Sequence, residues 1–285
     1  MFLDHHVVTV PQETRSSTDA NRLPPSAGRR HAPRMTAPDL PRSFTIREGD
    51  LRILNPFDDV KLATLGRAIR LRPGDELLDL CSGKGELLCT WARDHGVTGT
   101  GVDISSAFTA AARERATELG VAEHVRFVHG DAAAYSPERP VDVAACVGAT
   151  WIGDGVPGTL ELLDRTLRPG GMALVGEPYW RRDPPDEEAV TGSHARSRDE
   201  FHDLPGLVRL FGECGWDLVE MVLADQDSWD RYAAAHWLNL RRWLDANPDD
   251  ELAPELRREL TEDPLRYVRF QREYMGWGVF ALLRR

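Results

Sequence analysis

Glu-Leu-Leu-Asp-Leu-Cys-Ser-Gly-Lys-Gly-Glu-Leu-Leu, residues 76–88, is the stretch that decides the fold of this chain. The leucines of residues 77–80 form a short apolar run, which is typical of a buried strand. Gly83 and Gly85 follow, and because glycine has no Cβ, the backbone can turn sharply there and a ligand can lie directly on it. Residues 86–93 are helix-forming, and the free N–H groups at the start of a helix favour a carboxylate or a phosphate. The stretch therefore predicts a strand, a ligand-binding turn and a helix.

A dinucleotide site is the first of two kinds of ligand site that such a turn can form. It requires Gly-x-Gly-x-x-Gly, in which the last small residue lets the helix pack closely on the strand. Counted from Gly83, that position is Leu88. The pattern therefore argues against a nicotinamide or flavin site, although an NAD-dependent oxidoreductase remains an alternative at this stage.

From residue 76 onward the sequence alternates between strand-like and helix-like segments. This alternation is typical of a parallel sheet with helices on both faces. The predicted helices lie near residues 58–69, 86–93, 106–119 and 159–166. The predicted strands are residues 77–80, 99–102, 125–129, 141–146, 173–177, 216–223 and 278–283.

Acidic side chains follow two of these strands, at the edge where ligands of open α/β sheets bind. Asp103 ends the second strand about 20 residues beyond the turn, the spacing at which a carboxylate can accept both hydroxyls of a ribose. Ile104 would offer an apolar face to a base, and Asp131, followed by Ala132, would accept a hydrogen bond from an exocyclic amine. Each acid also has a simpler explanation, since Asp103 could cap the next helix and Asp131 could stabilise a turn.

Residues 79–85, Asp-Leu-Cys-Ser-Gly-Lys-Gly, together with these strand ends, resemble the class I S-adenosylmethionine-dependent methyltransferases. Motif I of that family is acidic-x-Gly-x-Gly-x-Gly, and Cys81 replaces its first glycine. The resemblance extends over roughly residues 58–223 and the last strand. It implies an α/β fold with a seven-stranded Rossmann-like sheet, an antiparallel last pair of strands, and S-adenosyl-L-methionine as the cofactor. The cofactor-binding residues that it implies are Asp79, Cys81, Gly83, Gly85, Asp103, Ile104, Asp131, Ala132 and Val147.

The predicted sheet is preceded by an extension and interrupted by an insertion. Residues 1–42 are rich in Pro, Ser, Thr and Arg without periodicity, which predicts a disordered extension before the core of residues 43–225. Residues 44–56 are predicted as a linker within that core. Residues 226–275 predict a helical insertion, and residues 276–285 the final strand. The first helix of the insertion has one apolar face, formed by Trp229, Tyr232, Ala233, His236, Trp237, Leu240, Trp243 and Leu244.

The insertion, together with Glu-Pro-Tyr-Trp at residues 177–180, resembles the YjhP-like group of bacterial methyltransferases, a resemblance that supplies no substrate. With a charged, proline-containing run at residues 181–200, it predicts a helical cap and a lid over a substrate pocket. Candidates for catalysis are Glu177 and Tyr179, at the end of the fifth strand, and His236, because histidine titrates near neutrality. His236 could equally be a core histidine with a satisfied hydrogen bond.

Composition restricts the class of partner. The 285 residues carry a formal net charge of −11, which disfavours nucleic acid because phosphate binding requires a concentrated basic surface. No apolar run is long enough to span a bilayer and no secretory signal is recognisable, so we expect a cytoplasmic protein without membrane association. The four cysteines lack C-x-x-C spacing, so neither a metal site nor a disulfide is expected.

The sequence therefore predicts an enzyme that transfers the methyl group of S-adenosylmethionine to an oxygen or nitrogen atom of a small molecule. Its alternatives are the NAD-dependent oxidoreductase and a non-catalytic module that binds S-adenosylmethionine. Oligomeric state is left open.

Overall fold

The strand, turn and helix predicted around residues 76–93 lie at the centre of a seven-stranded sheet. The structure, a computed structural model, describes residues 39–285, so residues 1–38 of the predicted disordered extension lie outside the described part of the chain. In chain order the strands are β1 Glu76–Leu80, β2 Thr98–Asp103, β3 Val125–His129, β4 Val141–Val147, β5 Leu167–Trp180, β6 Trp216–Leu223 and β7 Met275–Arg284.

The order of the strands across the sheet is β3-β2-β1-β4-β5-β7-β6. Strands β1 to β5 pair in parallel, whereas β7 is antiparallel to both of its neighbours, β5 and β6. The predicted fold class, an α/β sheet of seven strands with an antiparallel last pair and a helical insertion between those two strands, is confirmed.

Helices cover both faces of this sheet. They are α1 Arg42–Arg47, α2 Asp59–Ala68, α3 Glu86–His95, α4 Ser106–Glu118, α5 Val156–Asp164, α6 Glu187–Gly192, α7 Leu204–Glu213, α8 Gln226–Ala246, α9 Ala253–Arg266 and α10 Arg272–Tyr274. Helices α2, α3 and α4 pack against one another on one face, and α5 and α7 cover the other. The core beneath α5 and α7 includes Leu80, Leu160, Phe211 and Phe280, and burial of each such side chain stabilises the fold by roughly 1.5–3 kcal/mol.

The fifth strand is much longer than its predicted span of residues 173–177. It runs from Leu167, which pairs with Val141 of β4, to Trp180, and β7 pairs with its residues 172–180. Its pairing with β4 ends earlier, at Val147↔Gly176. The last part of β5, residues 177–180, therefore depends on a partner strand about a hundred residues later in the chain, which no local pattern reveals.

Beyond the end of β4, strands β5 and β7 remain paired through residues 177–180 and 275–278, here called the β5–β7 ribbon, and the end of β6 flanks it at Gly278. Pro178 lies inside it, although proline lacks the N–H that a sheet requires. The backbone nitrogen of Trp180, two residues later, faces away from β7 and donates to the His202 carbonyl at 2.8 Å. The Pro178 nitrogen faces that same side, where β4 has already ended, so no strand-pairing hydrogen bond is lost.

The segment predicted as a linker, residues 44–56, begins instead within the short helix α1. Phe44 is buried, and its ring centroid lies 5.9 Å from that of Phe108. Six residues make fewer than two helical turns, so the sequence contains no periodic pattern that could have predicted α1.

The chain between β6 and β7 forms the helical insertion. Helices α8 and α9 pack on each other, and α8 also packs on α1. Strand β7 begins at Met275, the last residue of the predicted insertion. A small separate core lies between these helices and consists of Leu240, Leu244, Ala253 and Leu256 with Ile46 packed against it. Most of the predicted apolar face of α8 is buried, namely Trp229, Tyr232, Ala233, Leu240 and Leu244.

Replacing Gly85 by alanine should destabilise the fold more than replacing Gly120. Both glycines have a left-handed backbone, with φ of +72° and +70°, so each alanine should cost roughly 1–2 kcal/mol in backbone strain. A Cβ at Gly85 would lie 2.5 Å from the Phe127 ring and 2.8 Å from the Ala112 Cβ, whereas nothing lies within 4 Å at Gly120. Urea unfolding should show a further loss of about 1–3 kcal/mol for Gly85→Ala. If Gly85→Ala and Gly120→Ala lose the same free energy of unfolding, the Phe127 ring moves aside without an energetic cost.

Candidate active site

The turn after β1 has a left-handed backbone at three positions. Cys81, Gly83 and Gly85 have φ of +61°, +53° and +72°. Cys81 thus adopts the conformation that glycine usually supplies, at the position where the family motif has its first glycine. Its thiol lies against that of Cys146 in β4. The Gly85 N–H donates to the Ser82 carbonyl at 2.9 Å and closes the turn.

Asp103, at the end of β2, connects this turn to the neighbouring strand. Its Oδ2 accepts from the Gly83 N–H at 2.7 Å, and its Oδ1 accepts from the Ser105 N–H at 2.8 Å. The capping interpretation of Asp103 is wrong, because the cap of α4 is the Ser105 hydroxyl, which accepts from the Phe108 N–H. Each carboxylate oxygen keeps a second lone pair, so Asp103 can still accept hydrogen bonds from ribose hydroxyls.

Asp79, on β1, is a buried carboxyl that has no hydrogen-bond donor within residues 39–285. Burial and the nearby Asp103 raise the pKa of Asp79 to about 8. A buried carboxylate without a partner is unfavourable, and a cationic group bound beside it would compensate for that cost. Asp79 therefore indicates a positively charged ligand group at the turn.

The other predicted cofactor residues lie at the same edge of the sheet. Ile104 is half-buried and Ala132 is buried, just after β2 and β3. Asp131 is exposed, and it accepts from the backbone N–H two residues later at 2.9 Å, so it does stabilise a turn. Val147 ends β4, and its carbonyl accepts from Asn55 Nδ2 at 3.2 Å. The roles of these residues in cofactor binding stay predictions.

Glu177, the first residue of the β5–β7 ribbon, has a pKa near neutrality. Thr150, in a turn after β4, donates from Oγ1 to Glu177 Oε2 at 2.7 Å. Burial raises the pKa of Glu177 to about 7, even though this hydrogen bond lowers it. Glu177 nevertheless retains some accessible surface. Such a carboxyl can accept a proton near pH 7.

Tyr179, two residues later on β5, lies in the core. Its side chain is buried, and its ring packs on the backbone of Gly276 in β7. Burial raises the pKa of the Tyr179 phenol. Glu177 and Tyr179 face the same side of the strand, but only Glu177 keeps accessible surface. A catalytic role for Tyr179 stays a prediction.

His236, on α8, lies beside the fully buried carboxyl of Glu48. The distance from His236 Nε2 to Glu48 Oε1 is 3.3 Å. Tyr232 Oη is 3.2 Å from the same oxygen and 3.0 Å from the Leu54 carbonyl. Burial acts to raise the pKa of Glu48, but the charge and hydrogen bonding of His236 help to outweigh it, and the pKa is lowered. A carboxylate can thus hold one ring nitrogen of His236 while the other accepts a proton.

Glu48 and Thr150 contact the candidate residues His236 and Glu177 but were not among the predicted catalytic or cofactor-binding residues. Glu48 follows the unpredicted helix α1 and meets α8 only through tertiary packing, so no local signal could have identified it. Thr150 follows the fourth strand within Gly-Ala-Thr-Trp, residues 148–151, and its place after a strand end was the available signal.

The run predicted as a lid, residues 181–200, packs against the insertion. The ring of Phe270 lies directly on Gly192, and His194 Nε2 is 3.6 Å from Asp263 Oδ1. Within residues 39–285, no three His, Cys, Asp or Glu side chains form a group that could hold a metal ion. No helix among these residues is long and apolar enough to cross a membrane.

Comparison with known proteins identifies the family. A model described as a methyltransferase domain matches residues 77–171. The chain is 59% identical over 247 residues to the uncharacterised protein YjhP of Escherichia coli strain K12, a match that covers 87% of this chain and 100% of YjhP. A methyltransferase from Geobacter sulfurreducens in complex with S-adenosylhomocysteine has 62% identity and a TM-score of 0.86, covering 87% of this chain and 99% of that one. The chain belongs to the S-adenosylmethionine-dependent methyltransferases.

A second such methyltransferase, from Thiobacillus denitrificans and also in complex with S-adenosylhomocysteine, has 58% identity and a TM-score of 0.85, covering 87% of this chain and 100% of that one. S-adenosylmethionine is therefore the cofactor, and the chain is an enzyme. This finding replaces both alternatives, the NAD-dependent oxidoreductase and the non-catalytic module. The turn of this methyltransferase fits the cofactor, because the partnerless Asp79 carboxyl suits its ammonium and Asp103 retains acceptors for its ribose.

Replacing Asp79 by asparagine should stabilise the cofactor-free methyltransferase at pH 8. The folded-state pKa of about 8 lies above the unfolded value of about 3.9, so between these values only the unfolded state releases the proton and the wild type loses stability as pH rises. Thermal unfolding from about pH 5 to about pH 8.5 should show this decline in the wild type, on the order of a few kcal/mol, and a flatter curve for Asp79→Asn. If stability changes with pH in the same way in the wild type and in Asp79→Asn, Asp79 is ionised in the folded protein over this range and the prediction is wrong.

Proposed function

We propose that this methyltransferase transfers the methyl group of S-adenosylmethionine to an oxygen or nitrogen atom of a small molecule, bound between the β5–β7 ribbon and the helical insertion. The observation that carries the proposal is Glu177, a carboxyl with a pKa of about 7 that keeps accessible surface just beyond the end of β4. Ligands of open α/β sheets bind at this edge. Hydroxyl and ammonium groups must lose a proton to become methylated, and a carboxyl of this kind can accept it.

The cofactor is proposed to lie on the turn after β1. The backbone of Gly83 and Gly85 allows close approach, the Asp79 carboxylate pairs with the ammonium at the methionine end, and Asp103 and Asp131 accept from the ribose and the adenine. When bound, the cofactor supplies an electrophilic methyl carbon and a thioether leaving group. The protein then has to align the acceptor with that carbon and exclude water.

Glu177 is proposed to take the proton of the acceptor. The lone pair of the acceptor oxygen or nitrogen forms the new bond to carbon, the carbon–sulfur bond breaks with its electrons passing to sulfur, and the acceptor proton passes to Glu177. The Thr150 hydroxyl donates to Glu177 Oε2 and so leaves Oε1 to meet the acceptor. Because its pKa is about 7, Glu177 would exchange between its ionised and neutral forms near neutral pH.

His236 is proposed as a second proton acceptor, on the side of the insertion. The Glu48 carboxylate, 3.3 Å from Nε2, would stabilise the imidazolium and hold the ring in one orientation. Tyr232 supports the same carboxylate from one turn earlier on α8. His236 and Glu48 lie where α8 packs against the chain that follows α1. They would therefore approach the acceptor from above the turn after β1.

The insertion and residues 181–200 are proposed to cap the acceptor pocket. Trp180, in the β5–β7 ribbon, donates from its indole N–H to the Arg198 carbonyl at 2.8 Å, so the cap is attached to the strand that carries Glu177. Its other contacts, of Gly192 with Phe270 and of His194 with Asp263, join it to the insertion. A closed pocket of this kind suits a small molecule, and the net charge of −11 disfavours nucleic acid.

A transfer assay tests the proposal directly. The enzyme is incubated with a metabolite extract and cofactor labelled on its methyl group, and products are identified by mass spectrometry. We expect a labelled small molecule carrying an O-methyl or N-methyl group, and no product with Asp103→Ala as the control. Label found only in nucleic acid or protein, or attached to carbon, would contradict the proposal.

Glu177→Gln should lower turnover by roughly 100-fold or more without weakening the binding of S-adenosylhomocysteine, because proton removal is lost while the cofactor site is intact. In the wild type, turnover should rise with pH up to about 7, as Glu177 ionises. Thr150→Val is the matched variant: it removes a hydrogen bond that lowers the pKa of Glu177, so the rise should move to higher pH. If Thr150→Val does not shift the dependence of turnover on pH, Glu177 is excluded as the base.

His236→Ala should reduce turnover by about tenfold to 100-fold while the affinity for S-adenosylhomocysteine stays within about twofold. Asn239→Ala is its control, because Asn239 lies on the same face of α8 and donates to the Arg47 carbonyl at 2.9 Å without a titratable group. If both variants reduce turnover equally, His236 only contributes to the packing of α8 against the chain that follows α1.

A further inference from the structure

Lys84, between the two glycines of the turn, directs its ammonium to the chain that follows α1. Nζ donates to the carbonyls of Glu48 and Leu51, each at 2.8 Å, and to that of Gly49. An ammonium has three N–H donors, so all of them are used. The Phe108 ring covers the group, with its centroid 5.6 Å from Nζ.

These carbonyls belong to a segment, residues 48–57, that we call the strap. The strap crosses the edge of the sheet from the turn after β1 to the end of β4. Leu54 lies over the turn, since a Cβ at Gly83 would be 2.9 Å from Leu54 Cδ1. Asn55 attaches the far end by donating to the Val147 carbonyl at 3.2 Å. The strap therefore spans the edge of the sheet at which the cofactor is proposed to bind, and it is attached at both ends.

The attachment at Lys84 suits an ammonium and no other side chain. Helix α1 ends at Arg47, so the carbonyls that follow it lack helical partners; the Glu48 carbonyl accepts from the Leu51 N–H at 3.1 Å as well as from Lys84. Three carbonyls converge on one nitrogen, which matches the three donors of lysine; the donors of arginine point outward in a planar fork and cannot meet at one point. Burial lowers the pKa of Lys84, against the nearby acids Glu48 and Asp50, so this contact is not a weak surface ion pair.

We propose that Lys84 is a positioning residue for methyl transfer: it fastens the strap to the cofactor-binding turn, so that the turn and its cover form one unit and Glu48 is held in place for His236. Lys84 touches neither the acceptor nor the methyl group, and it acts through the strap. The fastening of the strap rests on the binding of the cofactor, the part that concerns Glu48 rests on the proposed role of His236, and neither depends on which acceptor is methylated.

Lys84→Met, which keeps the length of the side chain and removes the ammonium, tests this role by calorimetry with S-adenosylhomocysteine. We expect binding to weaken by about tenfold or more, because charge-assisted hydrogen bonds to the strap are lost. Lys84→Arg should fail to restore it, for the geometric reason above. Lys61→Met is the control, since Lys61 is the other lysine of the chain and pairs with Asp225 at 3.0 Å, away from the turn; its affinity should stay within about twofold.

Hydrogen exchange distinguishes positioning from general destabilisation. In the wild type, S-adenosylhomocysteine should slow exchange of residues 48–57, whereas in Lys84→Met this protection should disappear and strand β4 should exchange as in the wild type. Loss of protection throughout the sheet would overturn the proposal, as would binding and strap protection equal to those of the wild type.

A measurement on the unmodified protein covers the case in which Lys84→Met does not fold. With two lysines in the chain, acetylation by an N-hydroxysuccinimide ester can be followed at each by mass spectrometry. S-adenosylhomocysteine should slow the reaction of Lys84 by about fivefold or more and leave Lys61 unaffected, because a fastened strap opens less often. An unchanged rate at Lys84 would overturn the proposal.

Discussion

The carboxylate of Asp103 is the interaction on which the rest of the site depends. Its two oxygens accept the N–H groups of Gly83 and Ser105, so one side chain joins the turn after β1 to the start of α4. Hydrogen bonds to a charged acceptor contribute about 1.5–3 kcal/mol each, enough to hold a turn that has left-handed residues at three positions. With the turn held in this way, the enzyme can keep Asp79 buried beside it without a partner of its own and ready for a cationic group.

Three distant parts of the chain meet above that turn. The strap comes from the residues before the first strand, Lys84 from the turn itself, and His236 from the insertion after the sixth strand. Glu48 belongs to all three contacts, since its carbonyl accepts from Lys84 while its carboxylate meets His236 and Tyr232. Glu48 thus joins the turn after β1 to the insertion, and the contacts of His236 and Tyr232 with Oε1 compensate in part for the burial of its carboxyl.

Local sequence patterns predicted those parts of the molecule that local interactions determine. The turn at residues 79–85, the position of Asp103 and the bounds of β3 and β6 were all predicted from short stretches, and each is confirmed. The last part of β5 was not, because it depends on pairing with β7, and Glu48 was missed because only tertiary packing brings it to α8. The sequence placed Glu177 and Tyr179 at the end of a strand, yet it could not show that Glu177 keeps accessible surface while Tyr179 is buried in the core.

The place of β7 in the sheet has a consequence for how the molecule is made. It is the last of the seven strands to be synthesised, yet it lies between β5 and β6, and its residues from Met275 to Leu282 are all buried. On the ribosome, both neighbouring strands must therefore wait with open, hydrogen-bonding edges while the whole insertion is translated. Open edges of this kind invite pairing with other chains, so we expect the chain to be most prone to aggregation before β7 has paired with both of its neighbours.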